Sequence, residues 1–217
     1  MFPTKKAPVT TAESALPGRS HGQAISGVHF VNGSGFVPPF GEKIEVVYLA
    51  MGCFWGAERI FWEVPGVHTT AVGYTGGFTE NPSYEEVCTG RTGHAEAVMV
   101  AYDPEAIPLD RVLKHFWEEH DPTQGNRQGN DVGSQYRSGI YWTTESQRDA
   151  AFDSRNAYAT ALHDGGLGEI TTDIAEAGRF HYAEEYHQQY LAKNPEGYCG
   201  LAGTGVACPT GLQTADD

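Results

Sequence analysis

Residues 43–74 read KIEVVYLAMGCFWGAERIFWEVPGVHTTAVGY, and the order of patterns inside them decides the fold. Lys43 to Ala50 is rich in β-branched and aromatic residues, the pattern of a buried strand. Gly52 interrupts it. Phe54 to Glu63 then shows helical spacing until Pro65-Gly66 ends the helix. Val67 to Tyr74 returns to strand character. Strand, helix and strand in succession form a β–α–β unit, which predicts a parallel strand pair.

On the N-terminal side, residues 1–40 mix Thr, Ser, Pro, Gly and Ala with little periodicity and end in Val37-Pro38-Pro39-Phe40. They read as an irregular extension, set apart from a single domain over residues 41–217. On the C-terminal side, His94 to Tyr102 alternates as a third strand. Leu109, Val112, Leu113, Phe116 and Trp117 stand on one helical face, opened by Pro108 and stopped by Asp121-Pro122. Residues 123–135 read as a polar, Gly-rich loop and Tyr136 to Trp142 as a strand. Thr144 with Gln147 has the spacing of a capping box, for a helix that ends at Gly165-Gly166. Glu169 to Ala175 reads as an edge strand and Ala183 to Lys193 as a short helix. The Cys-containing tail over residues 194–217 reads as flexible. Mixed strands and helices around one β–α–β unit give the α+β class, with long irregular N- and C-terminal segments.

Composition narrows the function classes. The chain has 217 residues, 28 acidic against 14 basic, and a formal net charge of −14. With 40% hydrophobic residues it has the material for a core, which excludes a disordered chain. An acidic chain with no basic stripe is unsuited to gripping a nucleic-acid backbone. The most apolar stretch, Val46 to Ala57, falls far short of the roughly 18–20 residues that span a bilayer, so no membrane association is expected. Lys5 and Lys6 have no apolar run behind them, unlike a secretory signal. Four cysteines are too few for a disulfide scaffold and point to a cytoplasmic protein whose thiols pair only transiently.

The densest chemical signal is Gly52-Cys53-Phe54-Trp55-Gly56. A thiol where a strand gives way to a helix meets free N–H groups and the positive end of the helix dipole, which lower its pKa from about 8.5 toward neutrality. The flanking glycines admit close approach of another molecule, and Phe54 and Trp55 supply an apolar wall. The same Cys53 also suits a buried structural cysteine. Cys199 and Cys208 lie in the glycine-rich tail YCGLAGTGVACP, with Gly200, Gly203 and Gly205 giving it the freedom of a mobile strap that brings either thiol to Cys53. Cys88 reads as a small packed thiol. Glu96 is the only carboxylate in the apolar run 95–100; facing a dry pocket it becomes a proton donor near neutral pH, facing solvent it does not. Asp131 reads as a turn residue, Tyr84 and Tyr136 as two of eleven tyrosines, and His187 as a surface helix histidine. No spacing of the nine histidines suggests a metal site.

Taken together, GCFWGAE at 52–58, GYTGG at 73–77, NPSYEEVCTGRTGHAEAV at 81–98, HDPTQGNRQGNDVGSQYRS at 120–138, AEEYHQQYL at 183–191 and GYCG at 197–200 resemble the class A peptide methionine sulfoxide reductases. The resemblance implies an α+β two-layer sandwich around a mixed sheet and the thiol-dependent reduction of the S-epimer of methionine sulfoxide, free or in proteins, without a cofactor. It implies Cys53 as nucleophile, Glu96 as acid, Tyr84, Tyr136 and Asp131 around the sulfoxide oxygen, and Phe54 and Trp55 around the methyl group. Cys199 and Cys208 become the resolving and recycling thiols, and thioredoxin or a similar dithiol protein the reductant.

Two other classes remain open on the residues alone. A cysteine hydrolase would pair Cys53 with a histidine such as His94 or His187 and would have no use for the tail thiols. A thiol redox switch would use the cysteines but leave Glu96 and the aromatic pair unexplained.

Overall fold

The structure, a computed structural model, describes residues 10–209. Its centre is a six-stranded sheet in the order β7-β6-β1-β3-β2-β8. The strands are β1 (Glu45–Met51), β2 (Val67–Thr75), β3 (Ala95–Tyr102), β6 (Ser138–Trp142), β7 (Asp173–Glu176) and β8 (His181–Tyr182). A small hairpin of β4 (Arg127–Gln128) and β5 (Asp131–Val132) lies apart from it, inside the stretch expected to be a plain loop. The helices are α1 (Phe54–Trp62), α2 (Tyr84–Cys88), α3 (Leu109–Glu118), α4 (Glu145–Asp164) and α5 (Tyr190–Lys193).

The strand–helix–strand unit at residues 43–74 is present but split. β1 and β2 run the same way, and β3 lies between them, antiparallel to both. All eight residues of β3 are buried, so its apolar sequence suits a central strand with a neighbour on each edge. The parallel pair forms elsewhere, between β6 and β7, joined by the crossover helix α4.

Alternation along the strands builds two cores. Val47, Leu49, Met51, Val98, Val100 and Tyr102 face α1, α3 and α4. Ala71 and Met99 face the other way and pack with Phe36, which comes from the N-terminal extension and is fully buried. The extension therefore closes the back of the sheet while staying irregular, apart from one bridge between Val28 and Gly35.

A buried hydrogen-bond chain ties the extension to α1. The Nδ1 atom of His29 accepts from the Val31 and Asn32 amides, so Nε2 carries the proton and donates to Thr70 Oγ1 at 2.9 Å. Thr70 donates to Glu58 at 3.0 Å, and the backbone and side-chain N–H groups of Gln189 donate to the same carboxylate at 2.8 and 2.7 Å. Burial pushes the Glu58 carboxyl up to about 7 against the pull of Gln189 and Thr70. Glu58→Gln turns an acceptor into a donor in front of these three donors and should cost about 2–4 kcal/mol of stability. A urea titration read as a lower midpoint at unchanged slope checks it.

Gln189 also accounts for the one helix misread in the sequence. It has φ 46° and ψ 43°, in the left-handed region, so residues 185–189 wrap as turns and only Tyr190–Lys193 is helical. The side chain of Gln188 is spent on the backbone of Val72 and Ala183, which holds that turn against β2. The edge strand is shorter than the sequence suggests, Asp173–Glu176, and helix α2, capped by Ser83 and Glu86 in a reciprocal box, has no counterpart in the sequence reading.

Candidate active site

β1 ends at Met51, and the chain turns at Gly52, whose φ of 97° is open to glycine at little cost. Cys53 follows as the N-cap residue of α1, with φ −58° and ψ 120° and no side-chain capping bond. The residue is buried, with 8% of its surface exposed. The close approach expected at the glycines is made by the chain itself. A Cβ on Gly52 would meet Gln128 at 2.6 Å, and one on Gly56 would meet the Cys199 sulfur at 2.9 Å.

Glu96 lies on β3 directly across from Tyr74 of β2 and is buried on the helix side of the sheet. Its alanine neighbours 95 and 97 point to the opposite face, so they are not what dries it. The first amide of α1, Phe54 N–H, donates to Glu96 Oε2 at 3.1 Å and fixes the carboxyl beside Cys53. Burial pushes Glu96 up to about 8, opposed by the Phe54 amide and assisted by Asp131, so the group is neutral at pH 7.

The Cys53 thiol moves against the expectation from the helix dipole. Burial raises it strongly, the Glu96 charge raises it further, and the amides of Trp55 and Gly56 pull it down without prevailing. The helix start acts as expected, but desolvation in a nearly dry site outweighs it, and the resting sulfur is a thiol. Burial and then Glu96 also raise the phenols of Tyr84 and Tyr136, so both lie within electrostatic reach of the same carboxyl. Asp131, on β5, accepts from Tyr198 O–H at 3.2 Å. Cys53, Glu96, Tyr84, Tyr136 and Asp131 are thus near neighbours: a thiol, a neutral acid, two phenols and a second carboxyl group.

The aromatic wall is built from both ends of the chain. Trp55 stacks on Tyr190 with centroids 3.9 Å apart and planes 16° apart, and its Nε1–H donates to His187 Nδ1 at 3.0 Å. Phe54 is buried between Tyr74 and His187. His187 is therefore no surface histidine: it lies buried against Phe54, Trp55 and Tyr84, and burial lowers its pKa to about 4. Glu184 accepts from Tyr74 O–H and from the Tyr84 amide, which seats α2 over the site. Glu184 and a buried His187 had no distinct signal in the sequence, because the turn at 185–189 beside them rests on a left-handed Gln189, and Tyr190 and Tyr198 were two tyrosines among eleven. Neither histidine of the hydrolase reading serves a thiol: His94 is engaged with Thr79 and Gly77, and His187 with Trp55.

The remaining cysteines depart from the sequence reading. Cys88, expected to be packed, is exposed at the end of α2. Cys199 is exposed and lies over the first turn of α1. Cys208 is fully buried, its N–H donating to Glu118 at 2.7 Å and its carbonyl accepting from Lys114. Over the described residues the tail is packed, with Leu201 and Val206 against the core. A Cβ on Gly203 would lie 1.8 Å from the Glu118 carbonyl oxygen, so this glycine serves close packing and not slack.

Comparison with known proteins agrees with this geometry. The family model described as peptide methionine sulfoxide reductase matches residues 45–206. The chain belongs to that family. Peptide methionine sulfoxide reductase MsrA 1 of Caulobacter vibrioides is 59% identical over 202 residues, 93% of each chain. The solved methionine sulfoxide reductase A of Corynebacterium diphtheriae superposes with a TM-score of 0.84 at 45% identity, over 94% of this chain and 99% of its own. Mxr1 from Saccharomyces cerevisiae in reduced form gives 0.69 at 34% identity, over 76% of this chain and 93% of its own. As a peptide methionine sulfoxide reductase the chain is an oxidoreductase, and its mixed sheet with flanking helices is the fold of these relatives.

Proposed function

We propose that Cys53 and Glu96 carry the reduction of the S-epimer of methionine sulfoxide, free or within proteins, to methionine. The observation that supports it best is the Phe54 amide bond, which holds a neutral carboxyl beside the thiol at the start of α1. Glu96 lends its proton to the sulfoxide oxygen, with Tyr84, Tyr136 and Asp131 around that oxygen, and Phe54 and Trp55 bound the methyl group. The Cys53 sulfur attacks the sulfoxide sulfur and gives its proton back to Glu96, forming a transient S–S bond. The oxygen then passes to the Cys53 sulfur: the substrate S–O bond and the S–S bond break, the electron pair of the S–S bond stays on the thioether, and a sulfenic S–OH forms on Cys53. The raised Cys53 thiol suits this order, since a buried neutral pair exchanges a proton only when the substrate oxygen arrives to take one.

Cys199 then condenses with the sulfenic acid, releasing water, and Cys208 takes up the disulfide by exchange once the tail leaves its packed position. Thioredoxin or a similar dithiol protein supplies the two electrons. We assign the protein to the cytoplasm, the compartment that keeps such thiols reduced. Among the described residues no helix is long and apolar enough to cross a membrane.

Single turnover of the separated epimers, with thiols counted before and after, tests this reading. The S-epimer should yield methionine with two thiols lost per methionine and the R-epimer should not react; methionine formed with no thiol lost contradicts it. Cys199→Ser should still make one methionine per protein molecule, while its dithiol-coupled turnover falls about a hundredfold or more because the sulfenic acid has no nearby thiol. Steady-state kinetics with a reduced thioredoxin checks it.

A further inference from the structure

Resting on the reading of Cys199 as the resolving thiol, we propose that Gly56 and Arg59 of α1 form a cradle that seats the Cys199 sulfur and aims it for attack on Cys53. Arg59 Nη2 donates to Cys199 Sγ at 3.2 Å. Acidic side chains outnumber basic ones 28 to 14 in this chain, yet among the described residues no carboxylate lies within ion-pair distance of Arg59. The guanidinium is left for sulfur. A glycine inside a helix weakens it, and Gly56 stands in the first turn of α1 with the Cys199 sulfur 2.9 Å from where its Cβ would be and Leu201 at 3.0 Å. The missing side chain is the seat.

Two residues of one helix thus present Cys199 to the residue that caps that helix. Disulfide formation needs the attacking sulfur held in line with the sulfenic sulfur, and a fixed seat supplies that placement. The Cys199 sulfur attacks the Cys53 sulfenic sulfur; the S–S bond forms, the S–O bond breaks, and the departing hydroxide leaves as water with the proton that Cys199 gives up. Arg59 touches neither the sulfoxide nor Cys53 and is a positioning residue.

The test is rapid quench of the full chain after mixing with one equivalent of S-epimer, following methionine and the Cys53–Cys199 disulfide separately. In Arg59→Met the ratio of the disulfide-forming rate to the reduction rate should fall about tenfold at neutral pH, while the reduction rate itself stays unchanged, the sulfur having lost its seat. Arg59→Lys, which keeps a cation, should recover most of the ratio. Gly56→Ala should lower it as well by unseating the sulfur. If Arg59→Met keeps the ratio while the unmodified protein makes the disulfide, the cradle is wrong and the site reading stands. If the unmodified protein makes methionine but no Cys53–Cys199 disulfide, the resolving role fails and the cradle falls with it.

Discussion

Cys53→Ser should abolish sulfoxide reduction, the single-turnover rate falling by about four orders of magnitude or more. The loss is chemical in origin. A serine oxygen is a poor nucleophile at neutral pH, and to carry the reaction through it would have to form an oxygen–oxygen bond in place of a sulfenic acid. Structure should not suffer. Cys53 makes no side-chain capping bond at the start of α1, and serine is among the preferred residues there. The variant should therefore melt at or slightly above the temperature of the unmodified protein. An inactive variant that is also unfolded would leave the chemical origin of the loss unsupported; an active one would remove Cys53 as the attacking group.

The second large effect belongs to Glu96. Glu96→Gln keeps an acceptor for the Phe54 amide and nearly the same volume, but it has no acidic proton, and the reduction step should slow about 10²–10⁴-fold. The pH dependence carries the sign. Burial, opposed by the Phe54 amide, raises Glu96 to about 8, so the proton-donating form prevails below that pH and is lost above it. The single-turnover rate of the unmodified protein should thus hold up to about pH 8 and fall beyond it, and the Gln variant should lack that fall. Stability follows the same linkage. A carboxyl whose folded pKa lies above its unfolded one contributes in full below the unfolded value, and that contribution is lost as pH rises through about 8. Glu96→Gln should then be relatively more stable than the unmodified protein at pH 9, a gain in stability beside a loss in rate that no simple folding defect produces.

Much of this site can be read before any coordinates. The change from strand to helical period at Gly52 places Cys53 at a helix start, and a single carboxyl in an apolar run marks Glu96. In each case the physical reason differs from the one the sequence suggests. Glu96 is dry because it faces α1 and Tyr74, whereas its alanine neighbours line the other face. The Cys53 thiol is raised because burial and Glu96 outweigh the helix amides, and the sequence displays the amides but not the burial. Pairing partners are invisible in local patterns, so the insertion of β3 between β1 and β2 was beyond reach. Glycine is ambiguous in the same way: it permits motion and close contact alike, and Gly203 and Gly56 are used for contact. The turn at Gln188-Gln189 looks helical by composition, and only its buried hydrogen bonds to β2 and Glu58 show why it is not.

Because Cys88 is exposed, and both it and Cys199 are solvent-accessible thiols, the location of the first oxidised sulfur decides between this site and any other. The direct measurement mixes the Cys199→Ser, Cys208→Ser protein with one equivalent of the S-epimer, traps sulfenic acid with a cyclic 1,3-dione, and maps the label by mass spectrometry. One label on the peptide containing Cys53 for each methionine released is the result expected. Methionine released with the label on Cys88, or with Cys53 unlabelled and still a thiol, would contradict the assignment.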